Sequence, residues 1–255
     1  MKIPKGLFLD LFKHSSFSMN EIDDATVPLV ITSPLYFPDS VSQSIGRSSK
    51  DGEHKEHLVD EISFYARSLY PVFSEIVRIL SPGGHLILQT RDVRVDDRLV
   101  PVECLHREAC EKVGLFLIAR HFWRSTFQRA GRRKLSEKLK NTVGPMPSDP
   151  EVFLVFQKPG TPYLGQPSDQ DIELLSVDFM KTTTGKLKSR HPYQAPLPIL
   201  NAFVRTYSLP GDTIVDPFAG CGTTAMAALK NERNAVLYEI EDTAIGMIED
   251  NFQRI

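Results

Sequence analysis

Two short stretches of this chain carry residue types whose spacing could do chemistry. The first is Asp216-Pro217-Phe218-Ala219-Gly220-Cys221-Gly222-Thr223-Thr224. An apolar run ending at Asp216 leads into it and a helical pattern starts at the threonines, so a glycine loop joins a strand to a helix. Glycines let backbone approach a ligand closely and adopt positive φ. The first turn of the helix then offers free N–H groups to a polar or anionic ligand. One strand–helix–strand unit later the apolar run AVLYE ends in Glu239. A carboxylate at the tip of that second strand is placed to accept hydrogen bonds from ribose hydroxyls. A dinucleotide site would continue as Gly-x-Gly-x-x-Gly, but its third position here is Ala225, and the loop lacks a phosphate-holding lysine. The pattern favours S-adenosyl-L-methionine, which has no phosphate to cradle.

The second stretch is Thr32-Ser33-Pro34-Leu35-Tyr36-Phe37, at the end of an apolar strand. The exocyclic amino group of a base is a poor nucleophile, because its lone pair is delocalised into the ring. Acceptors beside its hydrogens can localise that pair, and the Ser33 hydroxyl and the Pro34 carbonyl are suitable. Tyr36 offers an aromatic platform for a base turned out of its stack. The same residues would also serve a plain buried strand ended by a proline turn, with the aromatics packed inward.

Other chemistries are excluded on residue grounds. Methyl transfer to C5 of cytosine uses a cysteine nucleophile, typically after proline, whereas Glu103, Ala109 and Gly220 precede Cys104, Cys110 and Cys221. Three cysteines without a paired spacing make neither a disulfide framework nor a zinc site, so no metal is expected. His54, His57, His106 and His121 are scattered and read as packing or surface residues. No apolar run approaches the roughly 20 residues of a membrane span, and no signal peptide is read at the start, so a cytoplasmic, membrane-free protein is expected. The net charge is −2, but Arg120, Arg124, Arg129, Arg132, Arg133, Lys134, Lys138 and Lys140 face only Glu137 in one stretch. Lys181, Lys186, Lys188 and Arg190 form a weaker cluster. Such patches can bind phosphates or be a solvated face.

The elements that must position these groups alternate. Strands are expected at Gly6–Asp10, Val27–Thr32, His85–Thr90, Leu115–Trp123, Glu151–Gln157, Asp212–Asp216 and Ala235–Glu239. Helices are expected over His57–Leu80 with an interruption at Pro71, Leu99–Val113, Pro198–Ser208, Thr223–Lys230 and Asp242–Gln253. Ser81–Gly84 reads as a turn, Pro38–His57 as a long loop, and Pro159–Arg190 as irregular. Alternation of this kind gives an α/β, doubly wound sheet that binds ligands at the carboxyl ends of its strands. After the strand ending at Glu239 only one helix follows, so the N-terminal strand must supply the next neighbour, as in a circularly permuted Rossmann-like sheet.

With both motifs in this order, the sequence resembles the β-class amino-methyltransferases of DNA, in which the catalytic motif precedes the cofactor motif. Thr32–Tyr36 is similar to the Thr-Ser-Pro-Pro-Tyr form that goes with N4-cytosine enzymes, rather than the Asp-Pro-Pro-Tyr form of most N6-adenine enzymes. His191-Pro192-Tyr193-Gln194-Ala195-Pro196 is similar to the HPxQxP element that helps hold the methionine end of the cofactor. Phe8-Leu9-Asp10 resembles the N-terminal Gly-Asp element whose acid reaches the cofactor adenine. The Leu80–Gly84 turn, Trp123-Arg124 and Phe156–Pro159 also have counterparts.

The resemblance implies a single S-adenosylmethionine-dependent methyltransferase domain over residues 1–255, with residues 128–150 as a small DNA-recognition insert. The implied catalytic residues are Ser33, Pro34 and Tyr36. The implied cofactor set is Asp10, Thr32, His191, Asp216, Pro217, Phe218, Gly220, Gly222, Thr223, Thr224 and Glu239. Arg129, Arg132, Arg133 and Lys134 are expected to contact DNA phosphates. A homodimer, a cognate restriction endonuclease and a restriction-modification or phage-defence setting are further expectations. Leu35 stands where the family has its second proline. Proline there would hold residue 34 extended and remove an N–H; leucine loosens that restraint and restores a donor. An N6-adenine enzyme, an RNA enzyme and a non-catalytic relative stay open as alternatives.

Overall fold

All six residues of Val27–Thr32 are buried, as a parallel strand covered on both faces requires. Their side chains alternate between two cores, Val30 to one and Leu29 and Ile31 to the other. The computed structural model describes residues 1–34, 64–65, 67–95, 98–125, 151–182 and 195–252. Its elements are β1 (Leu9–Phe12), β2 (Val27–Thr32), α1 (Tyr70–Ile79), β3 (Leu80–Thr90), β4 (Val93–Val95), β5 (Arg98–Val100), α2 (Val102–Lys112), β6 (Phe116–Ser125) and β7 (Glu151–Gln157). They continue with α3 (Asp169–Ser176), β8 (Phe179–Thr182), α4 (Leu197–Tyr207), β9 (Thr213–Asp216), α5 (Thr223–Lys230), β10 (Asn234–Tyr238) and α6 (Asp242–Phe252).

The main sheet runs β1-β10-β9-β2-β3-β7-β6-β8. The five strands from β1 to β3 pair in parallel, while β7 runs antiparallel to both β3 and β6. β1 does supply the neighbour that β10 needs, with Asp10 opposite Val236 and Phe12 opposite Tyr238. The permuted order is thus closed by the N-terminal strand. Val72, Phe73 and Ile76 of α1 and Ala109 and Cys110 of α2 cover one face of the sheet. Phe203 of α4, Ala225 and Ala228 of α5, and Ile248 and Phe252 of α6 cover the other.

Several boundaries differ from expectation for local reasons. β1 lies two to three residues later than Gly6–Asp10, because its pairing with β10 sets the register. The interruption expected at Pro71 is a break between helices: residues 67–68 are helical, Leu69 is a turn, and Pro71 sits in the first turn of α1, where its missing N–H costs nothing. The expected turn Ser81–Gly84 is a bulge inside β3: Leu80 pairs with Val27, and pairing resumes at His85 with Leu29. Gly83 takes φ +78° there, and a Cβ would lie 1.7 Å from the Thr161 carbonyl oxygen. The stretch expected to be irregular holds α3 and β8. α3 begins with a capping box in which the Ser168 side chain accepts from the Asp171 N–H and the Asp171 carboxylate accepts from the Ser168 N–H.

Candidate active site

The carboxyl ends of β1, β10, β9, β2 and β3 open onto one cavity of about 460 Å³. Thr32, Ser33 and Pro34 after β2, Gln89 on β3, Asp216–Cys221 after β9, and Glu239–Glu241 after β10 line it. His14, Ser15 and Ser16 close it beyond β1. This is where a doubly wound sheet places its ligand.

Asp216 is the buried polar centre of the cavity. Its Oδ1 accepts from Thr32 Oγ1 at 2.7 Å and from the Phe218 N–H at 3.1 Å. Burial pushes its carboxyl up to about 6, against the hydrogen bonds from Thr224, Thr32 and Phe218 that favour the ionised form. Nearby Glu239 raises it further.

The glycine loop is held from both sides. Gly220 has φ +54° and Gly222 φ +79°, conformations that favour glycine. The Gly220 N–H donates to Glu239 Oε2 at 2.8 Å, and the Asn251 side-chain amide donates to the Cys221 carbonyl. Gly222 sits at the N-cap of α5 with no side-chain cap, so this helix end presents free N–H groups. Glu239 Oε1 accepts from the N–H groups of Ile240 and Glu241 at 2.8 and 2.9 Å. A carboxylate oxygen has about two lone-pair sites, so Oε1 is filled and Oε2 keeps one acceptor for a ligand.

Of the residues singled out from sequence, Thr32, Ser33, Pro34, Asp216, Pro217, Phe218, Gly220, Thr223, Thr224 and Glu239 line the cavity together. Gly222 stands behind it at the helix N-cap. Asp10 does not reach it: it is an exposed residue within β1, and the chain arrives at the cavity four residues later with His14. Tyr36, His191, Arg129, Arg132, Arg133, Lys134 and the Leu35 substitution lie outside the described residues. Within the basic cluster, Arg120 pairs with Glu103 at 2.7 Å and Arg124 lies over the Phe179 ring.

Sequence reasoning missed His14 and Gln89. His14 Nε2 lies 2.9 Å from Glu21 Oε1 and Nδ1 lies 3.0 Å from the Ser15 carbonyl. Two acceptors on two ring nitrogens favour the imidazolium, and the pKa of His14 is raised, chiefly by the Ser15 carbonyl. Gln89 is a polar residue buried at a strand end. That polarity in an otherwise apolar run, HLILQT, was the available signal.

A family model described as DNA methylase, covering N6 and N4 enzymes, matches residues 27–250. The type II methyltransferase M.MjaI of Methanocaldococcus jannaschii is 29% identical over 266 aligned positions, spanning 91% of this chain and 87% of that protein. M.MthZI of Methanothermobacter thermautotrophicus is 24% identical, spanning 93% of this chain and 74% of that protein. Among solved structures, the PvuII DNA methyltransferase (cytosine-N4-specific) superposes with a TM-score of 0.74 at 16% identity, over 96% of this chain and 86% of that one. The Thermus thermophilus protein TTHA0409, solved with S-adenosyl-L-methionine, superposes with a TM-score of 0.68 at 22% identity, over 94% of this chain and 91% of that one. Both likenesses concern the fold. The matched family model spans most of the chain, including both motifs and every strand of the cavity except β1, and the chain belongs to the N6/N4 DNA methylase family.

Proposed function

We propose that this protein transfers a methyl group from S-adenosyl-L-methionine to the exocyclic amino group of a base in DNA, and that the base is cytosine, methylated at N4. The observation that carries the reading is the joining of the two motifs: β2 pairs with β9, and the Thr32–Asp216 hydrogen bond ties their ends, so the Ser33–Pro34 acceptors and the glycine loop line one cavity.

The residues present fit the cofactor. The cavity volume lies within the ordinary range for small-molecule sites. Phe218, Pro217, Ile240 and Ala244 give it apolar walls, and Glu239 Oε2 retains an acceptor for a ribose hydroxyl. Thr223 and Thr224 open α5 on the cavity side. Bound there, the cofactor supplies an electrophilic methyl group on a sulfonium centre.

The Ser33 hydroxyl and the Pro34 carbonyl accept hydrogens from the amino group and hold its lone pair out of the ring. The proton displaced from that group can leave to water, so no strong base is required. The work of the protein is base extrusion, positioning and electrostatic tuning. The base assignment rests on the likeness of Thr32–Tyr36 to the Thr-Ser-Pro-Pro-Tyr form that goes with N4-cytosine enzymes. Arg129, Arg132, Arg133 and Lys134 fit the role of phosphate contacts. Removing their charges should weaken DNA binding in a salt-dependent way without altering site preference.

The test is to incubate the protein with labelled cofactor and unmethylated genomic DNA, digest to nucleosides, and identify the labelled one. N4-methylcytosine is expected, abolished by Ser33→Ala. N6-methyladenine would overturn the base assignment, and unlabelled DNA the transfer itself.

A further inference from the structure

The cavity crosses five strands, and its two ends are chemically different. Glu239, the proposed ribose acceptor, follows β10, and Gln89 lies three strands away on β3, beyond β9 and β2. Neighbouring strands are about 4.8 Å apart, so the two side chains stand roughly 14 Å from each other across the sheet. Thr32 pairs with Leu88, which puts Ser33 beside Gln89. Gln89 therefore belongs to the end of the cavity where the acceptor base must sit.

The orientation of its amide is fixed. Gln89 Nε2 donates to Glu151 Oε2 at 2.5 Å. A carboxylate offers only lone pairs, so the amide must turn its NH2 toward Glu151 and its carbonyl away. The side chain is buried, at 2% exposed, and with Nε2 turned to Glu151, Oε1 is the polar atom Gln89 can offer the cavity it lines.

We propose that Gln89, locked by Glu151, is a specificity-determining residue that reads the amino-bearing edge of the target base. This rests on the methyltransferase reading above. The second Nε2 hydrogen donates to the ring nitrogen beside the amino group, and Oε1 shares with Ser33, in a three-centre bond, the amino hydrogen on that side. Cytosine and adenine both present that donor–acceptor order. Thymine presents the reverse, a carbonyl beside a ring N–H, and Glu151 prevents the amide from turning to match it. An oriented amide in a buried site rejects a base with the wrong order because its own polar atoms are left unpaired.

Steady-state methylation of unmethylated genomic DNA by the wild type, Gln89→Met and Glu151→Gln tests this, with cofactor affinity measured calorimetrically on the same preparations. Gln89→Met keeps the unbranched side chain and removes both polar atoms. It should lower kcat/KM for DNA roughly 10- to 100-fold, with cofactor Kd within about two-fold of wild type, which also reports that the variant is folded. Glu151→Gln keeps the amide but frees it to turn, and should lower kcat/KM in the same direction by a smaller factor. Wild-type kcat/KM in Gln89→Met, or a cofactor Kd that weakens as much as kcat/KM falls, would overturn the inference while leaving the methyltransferase reading intact. A wild type that labels no base would overturn both.

Discussion

Thr32 and Asp216 are 184 residues apart in the chain and joined by a buried 2.7 Å hydrogen bond between Thr32 Oγ1 and Asp216 Oδ1. The bond ties the last residue of β2, from which the Ser33–Pro34 turn departs, to the last residue of β9, from which the glycine loop departs. The backbone alone brings the two strands together, with Leu29 opposite Ile214 and Val30 opposite Val215. The side-chain bond fixes the ends of the two strands at the cavity.

Asp216 titrates at about 6 rather than 3.8 because it is buried. A raised carboxyl pKa means that the folded state holds its proton longer than the unfolded chain. The stabilising contribution is complete below 3.8 and is lost as pH rises through 6. Above that, the ionised group costs the fold on the order of 3 kcal/mol. The melting temperature of Asp216→Asn minus that of wild type should therefore increase from pH 5 to pH 8. A difference that stays flat or falls with pH would refute the assignment. Cofactor affinity should weaken in the same variant.

His85 has the opposite sign. Its ring is fully buried beneath Tyr207, with centroids 4.4 Å apart, and neither nitrogen has a hydrogen-bond partner. Burial lowers its pKa from 6.5 to about 4. The unfolded chain protonates first on acidification, so stability is intact above pH 6.5 and is lost as pH falls toward 4. His85→Phe removes both the titration and the two unsatisfied nitrogens. Its melting temperature should exceed that of wild type at pH 5 by more than at pH 8.

Glu239, the proposed ribose acceptor, also holds the Gly220 N–H. Glu239→Ala should weaken cofactor binding roughly 100-fold, since it removes a charge-assisted acceptor and releases the loop. Glu239→Gln keeps one acceptor oxygen and should lose less. Isothermal titration with the cofactor checks the order, and equal losses in the two variants would contradict the loop-anchoring role.

Gly83→Ala should be among the more damaging single substitutions outside the cavity, by more than about 3 kcal/mol. The position combines positive φ with the Thr161 carbonyl oxygen only 1.7 Å from where a Cβ would stand, and its own N–H donates to the Lys158 carbonyl while its carbonyl accepts from the Tyr163 N–H. Chemical denaturation measures the loss.

Much of this was legible in the sequence because period and punctuation agreed. Val27–Thr32, Glu151–Gln157 and Thr223–Lys230 have the expected bounds, and the two motifs mark strand ends that the fold does bring together. What stayed hidden depends on long-range pairing. Asp10 looked like a strand-end acid, but pairing with β10 extends β1 to Phe12 and delivers His14 to the cavity instead. The stretch before α4 looked irregular because α3 has little apolar periodicity. Its helix is held by the Ser168–Asp171 capping box and by the Asp171–Arg205 pair with α4. The box leaves a local trace in Ser168-Asp169-Gln170-Asp171, whereas the pair with Arg205 has none. Gln89 acquires meaning only when β7 brings Glu151 beside it.

The most direct measurement is the chemical identity of the labelled nucleoside after incubation with labelled S-adenosyl-L-methionine and DNA, for the wild type and for Ser33→Ala. The wild type should yield N4-methylcytosine and Ser33→Ala no methylated base, with cofactor binding retained in both. Label on adenine N6 would contradict the role given to Ser33, and DNA left unlabelled by a wild type that binds cofactor would contradict methyl transfer as the function of this cavity.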